Sequence, residues 1–241
     1  MATNTMHSPS GGGPGAPPAR DGVFHRVYVW EVPVRLFHWI NLLCLLVLGA
    51  TGYLIGSPLV LASSAEASFQ YWFGTVRFLH FSAGYVFLFN TLFRLYWSAV
   101  GNPYAGWRNY FPFSRGFWRA VWQTFLQDIL IAGKRDEPSV GHNPLARASY
   151  IALFLLFLFS IASGFSLYAG MSSSWIPGLF AWFGGWFESE MSLRQWHHLA
   201  LWLYVIFLLV HLYVIYYHEK LERRGIISSI FNGWKFQPGK K

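Results

Sequence analysis

Four stretches of the chain are nearly unbroken runs of apolar residues, at about 34–56, 72–99, 146–170 and 195–217. Each reaches the ~20 residues that carry an α-helix across a bilayer. Inside a bilayer no water is present to satisfy backbone N–H and C=O groups, so each run is expected to be helical. No repeat at a period of about 20–50 residues is visible. The first 22 residues are mostly Gly, Pro, Ser and Ala, including Gly11 to Gly13, Pro17 and Pro18. They are expected to form a disordered tail, and they lack the basic start and apolar stretch of a signal peptide. The predicted organisation is a tail over 1–22, a four-helix membrane domain over 23–218 and a polar tail over 219–241. The predicted fold class is an all-α integral membrane protein, a four-transmembrane-helix bundle.

Composition supports this reading. Charged residues make up 12% of the 241 residues, apolar residues 54% and aromatics 20%, too little charge to cover a soluble surface. The net charge of +8 raises the question of nucleic acid, and its distribution answers it. Arg20, Arg26 and Arg35 precede or open the first span. Arg108, Arg115, Arg119, Lys134 and Arg135 lie between the second and third. Lys220, Arg223, Arg224, Lys235, Lys240 and Lys241 follow the last. The 57–71 connection carries no Lys or Arg, and the 171–194 connection only Arg194. Basic residues stay in the cytoplasm, so both termini are predicted to be cytoplasmic, without any need for nucleic acid. The middle connection is aromatic as well as basic (Trp107, Tyr110, Phe111, Phe113, Phe117, Trp118, Trp122), which suits an interfacial helix on the inner leaflet. The outer connection near Trp175, Trp182, Phe183, Trp186 and Phe187 suits an aromatic belt or a docking surface. The single cysteine, Cys44, lies in an apolar run and reads as a core residue.

Five of nine histidines, His38, His80, His197, His198 and His211, fall in the spans. An ionisable side chain at membrane depth costs a few kcal/mol and marks function by default. His197 and His211 are 14 residues apart, which puts them on one helical face within roughly 40° and separates them by about 21 Å along the axis. His198 points nearly the opposite way from His211. Two separate sites are therefore implied, one toward each membrane surface. The directions of the spans pair His38 with His211 on the cytoplasmic side and His80 with His197 on the outer side. Opposed histidines across a helix bundle, with no cysteine or carboxylate beside them, suit bis-imidazole haem, whereas zinc usually takes further protein ligands.

Arg35, Arg77 and Arg194 each precede a candidate ligand by three residues and so share its face. Arginine matches a haem propionate bidentately, although arginines at span ends also snorkel to headgroups. Gly49, Gly52, Gly84 and Gly164 offer room for a macrocycle or for close helix packing.

At these residues the chain resembles the b-type cytochrome subunit of membrane-bound nickel–iron hydrogenases. The carrying motifs are Arg35-Leu-Phe-His38-Trp-Ile followed by Leu48-Gly-Ala-Thr51-Gly52, and Arg194-Gln-Trp-His197-His198-Leu-Ala-Leu-Trp202 followed by Phe207 and His211. Tyr28 to Arg35, Arg77-Phe-Leu-His80-Phe-Ser-Ala-Gly84, Gly141-His142-Asn143-Pro144 and the stretch from Ile226 to Trp234 add to them. The resemblance spans about 27–236. It implies an electron-transfer subunit in the bacterial cytoplasmic membrane. Such a subunit anchors a periplasmic hydrogenase heterodimer, a large nickel–iron subunit and an iron–sulfur small subunit, and passes electrons through two b haems to quinone. It implies His38, His80, His197 and His211 as axial ligands. By similarity to formate dehydrogenase cytochromes it implies a quinone site at His142 and Asn143, residues that also suit a helix cap before Pro144. The chain itself lacks the cysteines for a nickel–iron centre and is not expected to catalyse hydrogen chemistry alone. Two other readings remain open from the sequence. One is a di-haem cytochrome serving another respiratory dehydrogenase. The other is a cofactor-free membrane anchor with histidines as relays.

Overall fold

The computed structural model describes residues 24–58, 71–107, 116–128, 144–222 and 225–238. The tail over 1–22, much of the connections before and after the second span, and His142 and Asn143 lie outside the described residues.

All four apolar runs are long helices. Helix α1 spans Val32–Gly56, with Pro33 in its first turn, where the missing N–H costs no hydrogen bond. Helix α2 spans Trp72–Val100, α4 Pro144–Ala169 and α6 Glu190–Glu222. Pro144 at the first position of α4 follows the same rule. Three of the four, α1, α4 and α6, are long and apolar enough to cross a membrane. The fourth expected span, α2, has the length, 29 residues, but Arg77, His80, Asn90 and Arg94 make it more polar than those three.

Several polar residues along the middle of these helices face inward. Asn41, Thr51, Asn90, Thr91, Arg94 and Ser163 are buried, while Leu36, Leu43, Leu46, Val86, Phe89, Leu92, Leu203, Ile206 and Leu209 are exposed. An apolar exterior around a partly polar interior is what lipid, rather than water, selects. The apolar core joins α1, α2 and α4 through Phe37, Cys44, Phe87, Leu88, Phe157, Ile161 and Phe165. Cys44 is buried there as a free thiol. Side chains tie the helices at intervals. Asn90 Nδ2 donates to the Phe37 carbonyl at 3.1 Å, and Tyr204 of α6 donates to the Leu156 carbonyl of α4 at 3.1 Å.

The fold departs from all-α at one end. Strand β1, Phe24–Tyr28, pairs antiparallel with β2, Trp234–Pro238, with Tyr28 opposite Trp234. A short helix, α7 (Ile226–Asn232), leads into β2. The chain is thus mostly helical with a two-stranded ribbon, and part of the expected C-terminal tail is folded. Gly233 makes the turn. Its φ is 87°, and a Cβ there would stand 2.4 Å from Tyr28 Cε2 and 2.5 Å from the Trp30 carbonyl oxygen. Its own carbonyl accepts from Val29 N and Trp30 N at 2.9 and 3.1 Å. Because β1 feeds α1 and β2 follows α6, the start of α1 and the end of α6 lie at one end of the bundle.

The middle connection contains a helix, α3, at Phe117–Asp128. Phe117 and Thr124 are buried while Trp118 and Trp122 are exposed, a one-sided pattern that suits an interface. Between α4 and α6 come a four-residue helix, α5 (Trp175–Gly178), and a 3₁₀ turn over Ala181–Trp186. Trp175, Trp182 and Trp186 are exposed there.

Candidate functional site

His80 of α2 and His197 of α6 meet inside the bundle. Their ring centroids are 6.5 Å apart, with planes at 80°. Each ring is held at Nδ1 by a hydroxyl from a neighbouring helix. Thr51 Oγ1 of α1 lies 2.9 Å from His80 Nδ1, and Ser163 Oγ of α4 lies 2.7 Å from His197 Nδ1. Each hydroxyl donates its own proton to the backbone carbonyl one helical turn back, Thr51 to Val47 at 2.6 Å and Ser163 to Phe159 at 2.7 Å. A hydroxyl has one proton, so toward the rings both oxygens are acceptors. The proton then sits on Nδ1 of each histidine, and Nε2 keeps its lone pair for a ligand.

A glycine follows each hydroxyl residue. A Cβ at Gly52 would lie 3.2 Å from His80 Cε1, and one at Gly164 would lie 3.0 Å from His197 Cε1. Thr51-Gly52 and Ser163-Gly164 are thus the same device on two helices, a hydroxyl that grips the ring and a missing side chain that admits it. The α1/α2 and α4/α6 pairs match further along. Tyr150 stands as far before Ser163 as His38 stands before Thr51, and Arg94 as far after His80 as His211 after His197. At those matched positions Arg94 Nε donates to Tyr150 Oη at 2.8 Å, and Arg94 Nη2 donates to the Ala105 carbonyl at 3.1 Å.

The other two histidines lie nearer the β ribbon, His38 early in α1 and His211 late in α6. They are electrostatic neighbours. His38 Nδ1 is buried without a hydrogen-bond partner, as is Asn41 Oδ1 one turn further along α1. His211 stacks on Phe207, with centroids 5.4 Å apart at 17°. His198 is turned elsewhere, against the end of α1, where a Cβ at Gly56 would come within 2.9 Å of its Nδ1.

The three arginines are engaged at the bundle's ends. Arg35 donates to the Phe231 carbonyl of α7. Arg77 points to Met171 Sδ at 3.1 Å and lies over the Phe81 ring. Arg194 pairs with Glu190 one turn earlier on α6. All three are held by weak or exposed partners that a carboxylate could replace.

The donor set favours one type of metal group. Among the described residues no cluster of three or more His, Cys, Asp and Glu is placed to hold a bare ion. A metalloporphyrin needs only two axial donors from the protein. An imidazole nitrogen meets a transition metal at about 2 Å, and the ring centre lies roughly 1 Å behind it, so two imidazoles across one iron have centres about 6 Å apart. The observed 6.5 Å and the free Nε2 atoms fit that arrangement.

The family model described as prokaryotic cytochrome b561 matches residues 29–233. The chain belongs to this family. Its relatives include the probable Ni/Fe-hydrogenase 1 B-type cytochrome subunit of Escherichia coli K12, which is 36% identical over 216 residues, 86% of this chain and 90% of that protein. The probable Ni/Fe-hydrogenase B-type cytochrome subunit of Azotobacter vinelandii is 38% identical over 213 residues, 87% of this chain and 88% of the relative. The corresponding subunit of Cupriavidus necator is 36% identical over 219 residues, 86% of each chain. Family membership and three helices of membrane-crossing length make this cytochrome b561 relative a membrane protein.

The sequence assigns no role to Thr51, which appears there only as part of a motif, and singles out neither Ser163, Arg94 nor Tyr150. The signal for the first two was present, a small hydroxyl residue followed by glycine in mid-span, once in each half of the chain. A hydroxyl inside a transmembrane helix ordinarily bonds its own backbone, so nothing in the sequence alone distinguishes one that also grips a ring.

Proposed function

We propose that the chain is the membrane-anchoring b-type cytochrome subunit of a nickel–iron hydrogenase complex. In this reading it takes electrons from a periplasmic iron–sulfur small subunit and delivers them to quinone by way of two b haems. The observation that carries the proposal is the His80–His197 pair, with both Nδ1–H groups engaged and both Nε2 lone pairs free at a spacing that fits one iron. The printed names of the relatives supply the partner class.

His80 and His197 would hold the haem toward the periplasm, and His38 and His211 the one toward the cytoplasm. Haem b bound at each level supplies a one-electron carrier. The chain's own residues do the rest. Thr51 and Ser163 orient the outer imidazoles, Gly52 and Gly164 leave space for them, and the apolar core of α1, α2 and α4 excludes water. Arg35, Arg77 and Arg194 would exchange their present partners for propionates. His142 and Asn143, just before the first turn of α4, would offer a donor and an acceptor to a quinone carbonyl. Residues 23–218 form the membrane domain, with four crossings and both termini in the cytoplasm of a bacterium. The pairing of β1 with β2 supports termini on one side, and the Lys and Arg distribution supports the side chosen.

The test is hydrogen-driven reduction in the intact complex. Hydrogen should reduce the b-type α-band in membranes, and Asn143→Ala should slow quinone reduction while haem content and hydrogen oxidation with an artificial dye stay unchanged. A complex in which hydrogen reduces quinone at the normal rate without this chain would refute the proposal.

A further inference from the structure

We propose that Thr51 and Ser163 are positioning residues that set the ligand strength of the His80 and His197 rings, and with it the reduction potential of the haem this pair would hold. The inference rests on the haem reading above and goes beyond it to two residues that do not touch iron.

The argument starts from the fixed direction of two protons. Thr51 Oγ1 donates to Val47 and Ser163 Oγ to Phe159, so each oxygen turns a lone pair toward the neighbouring Nδ1 at 2.9 and 2.7 Å. A ring that donates from Nδ1 carries more electron density at Nε2 and is a stronger metal ligand. Stronger donation favours ferric over ferrous iron and lowers the potential of the one-electron couple. Both bonds would act on the haem that His80 and His197 would hold. The neighbouring glycines preserve them, since a methyl at Gly52 or Gly164 would press on the Cε1 edge of the ring and tilt it off its hydroxyl.

The ribbon-proximal pair lacks this support at His38, whose Nδ1 is buried without a partner. On this account the hydroxyl braces would lower the potential of the haem held by His80 and His197 relative to the same site without them.

The experiment is a redox titration of the b-type α-band in the intact membrane complex, resolved into two components. The component absent from His80→Ala identifies the outer haem. In the double variant Thr51→Val, Ser163→Ala the reduction equilibrium of that component should move about tenfold toward the ferrous form, about 59 mV for one electron, while the other component stays in place. Thr51→Ser and Ser163→Thr, which keep the hydroxyl, should titrate as wild type. Loss of the outer haem in Thr51→Val that Thr51→Ser restores would uphold the brace, and loss that Thr51→Ser does not restore would overturn it in favour of packing. An unmoved outer component in the double variant, or a shift confined to the other component, would also overturn it. A wild-type complex with no b-type haem would instead refute the haem reading itself.

Discussion

The chemistry at residue scale lies in which nitrogen of each histidine is already occupied. His80 and His197 spend Nδ1 on hydroxyls and keep Nε2, whereas His198 packs against the end of α1. Replacing His80 with Ala should remove one haem and replacing His211 with Ala the other, while His198→Ala should leave both. Pyridine haemochrome assays on the purified complexes check this, and haem loss confined to His198→Ala would contradict the ligand assignment. Gly164→Ala should lower occupancy of the outer haem about 10- to 100-fold in haem affinity, the range seen when a ligand's supporting shell is disturbed. The four histidines were legible in the sequence because ionisable side chains at membrane depth stand out. The helical period separated His197 from His198. The hydroxyl partners were not legible, because the contacts run between helices separated by 29 and 34 residues and no local pattern records them.

Among the elements, Arg94 and the ribbon organise the end of the bundle near His38. Arg94 is 3% exposed and joins α2 to Tyr150 of α4 and to the Ala105 carbonyl. Arg94→Ala should destabilise the protein by about 3 kcal/mol, because it leaves buried acceptors unpaired, and Tyr150→Phe by about 1 kcal/mol for a single hydroxyl. Thermal unfolding in detergent, followed by loss of the haem spectrum, measures the difference. Gly233→Ala should free the ribbon and α7, since the added methyl meets Tyr28 and the Trp30 carbonyl at a left-handed φ. Proteolysis at Arg26 and Lys235 in inside-out vesicles should then increase while both haems remain bound. The long helices were legible from apolar run length alone. The ribbon was not, because each strand has five residues and its partner lies at the far end of the chain with no hairpin turn to announce it. The polar content of α2 was visible as individual residues, Arg77, His80 and Arg94. Only the fold shows that His80 and Arg94 turn inward, where Thr51 and Tyr150 receive them, while Arg77 lies at the bundle's end against Met171.

For the whole molecule, the account predicts a sided assembly. Reporter fusions at Ser64 and Gly185 should read as periplasmic, and those at Arg135 and Lys240 as cytoplasmic, following the Lys and Arg distribution. A cytoplasmic signal at Gly185 would reverse the assignment of outer and inner pairs. Internal symmetry adds a constraint. The Thr51-Gly52/His80 and Ser163-Gly164/His197 units are related across the bundle, while the matched second positions differ, His38 with His211 on one side and Tyr150 with Arg94 on the other. Among the described residues the two matched halves therefore bring together two histidine pairs, and Arg94 with Tyr150 stands where a third would be. The central claim is that each pair holds one b-type haem, and a haem count with a dithionite-minus-oxidised difference spectrum on the purified complex tests it most directly. The account predicts two haems b per chain, falling to one in His80→Ala and to one in His211→Ala. A chain purified in its intact complex with no b-type α-band, or with an unchanged count in both variants, would contradict it.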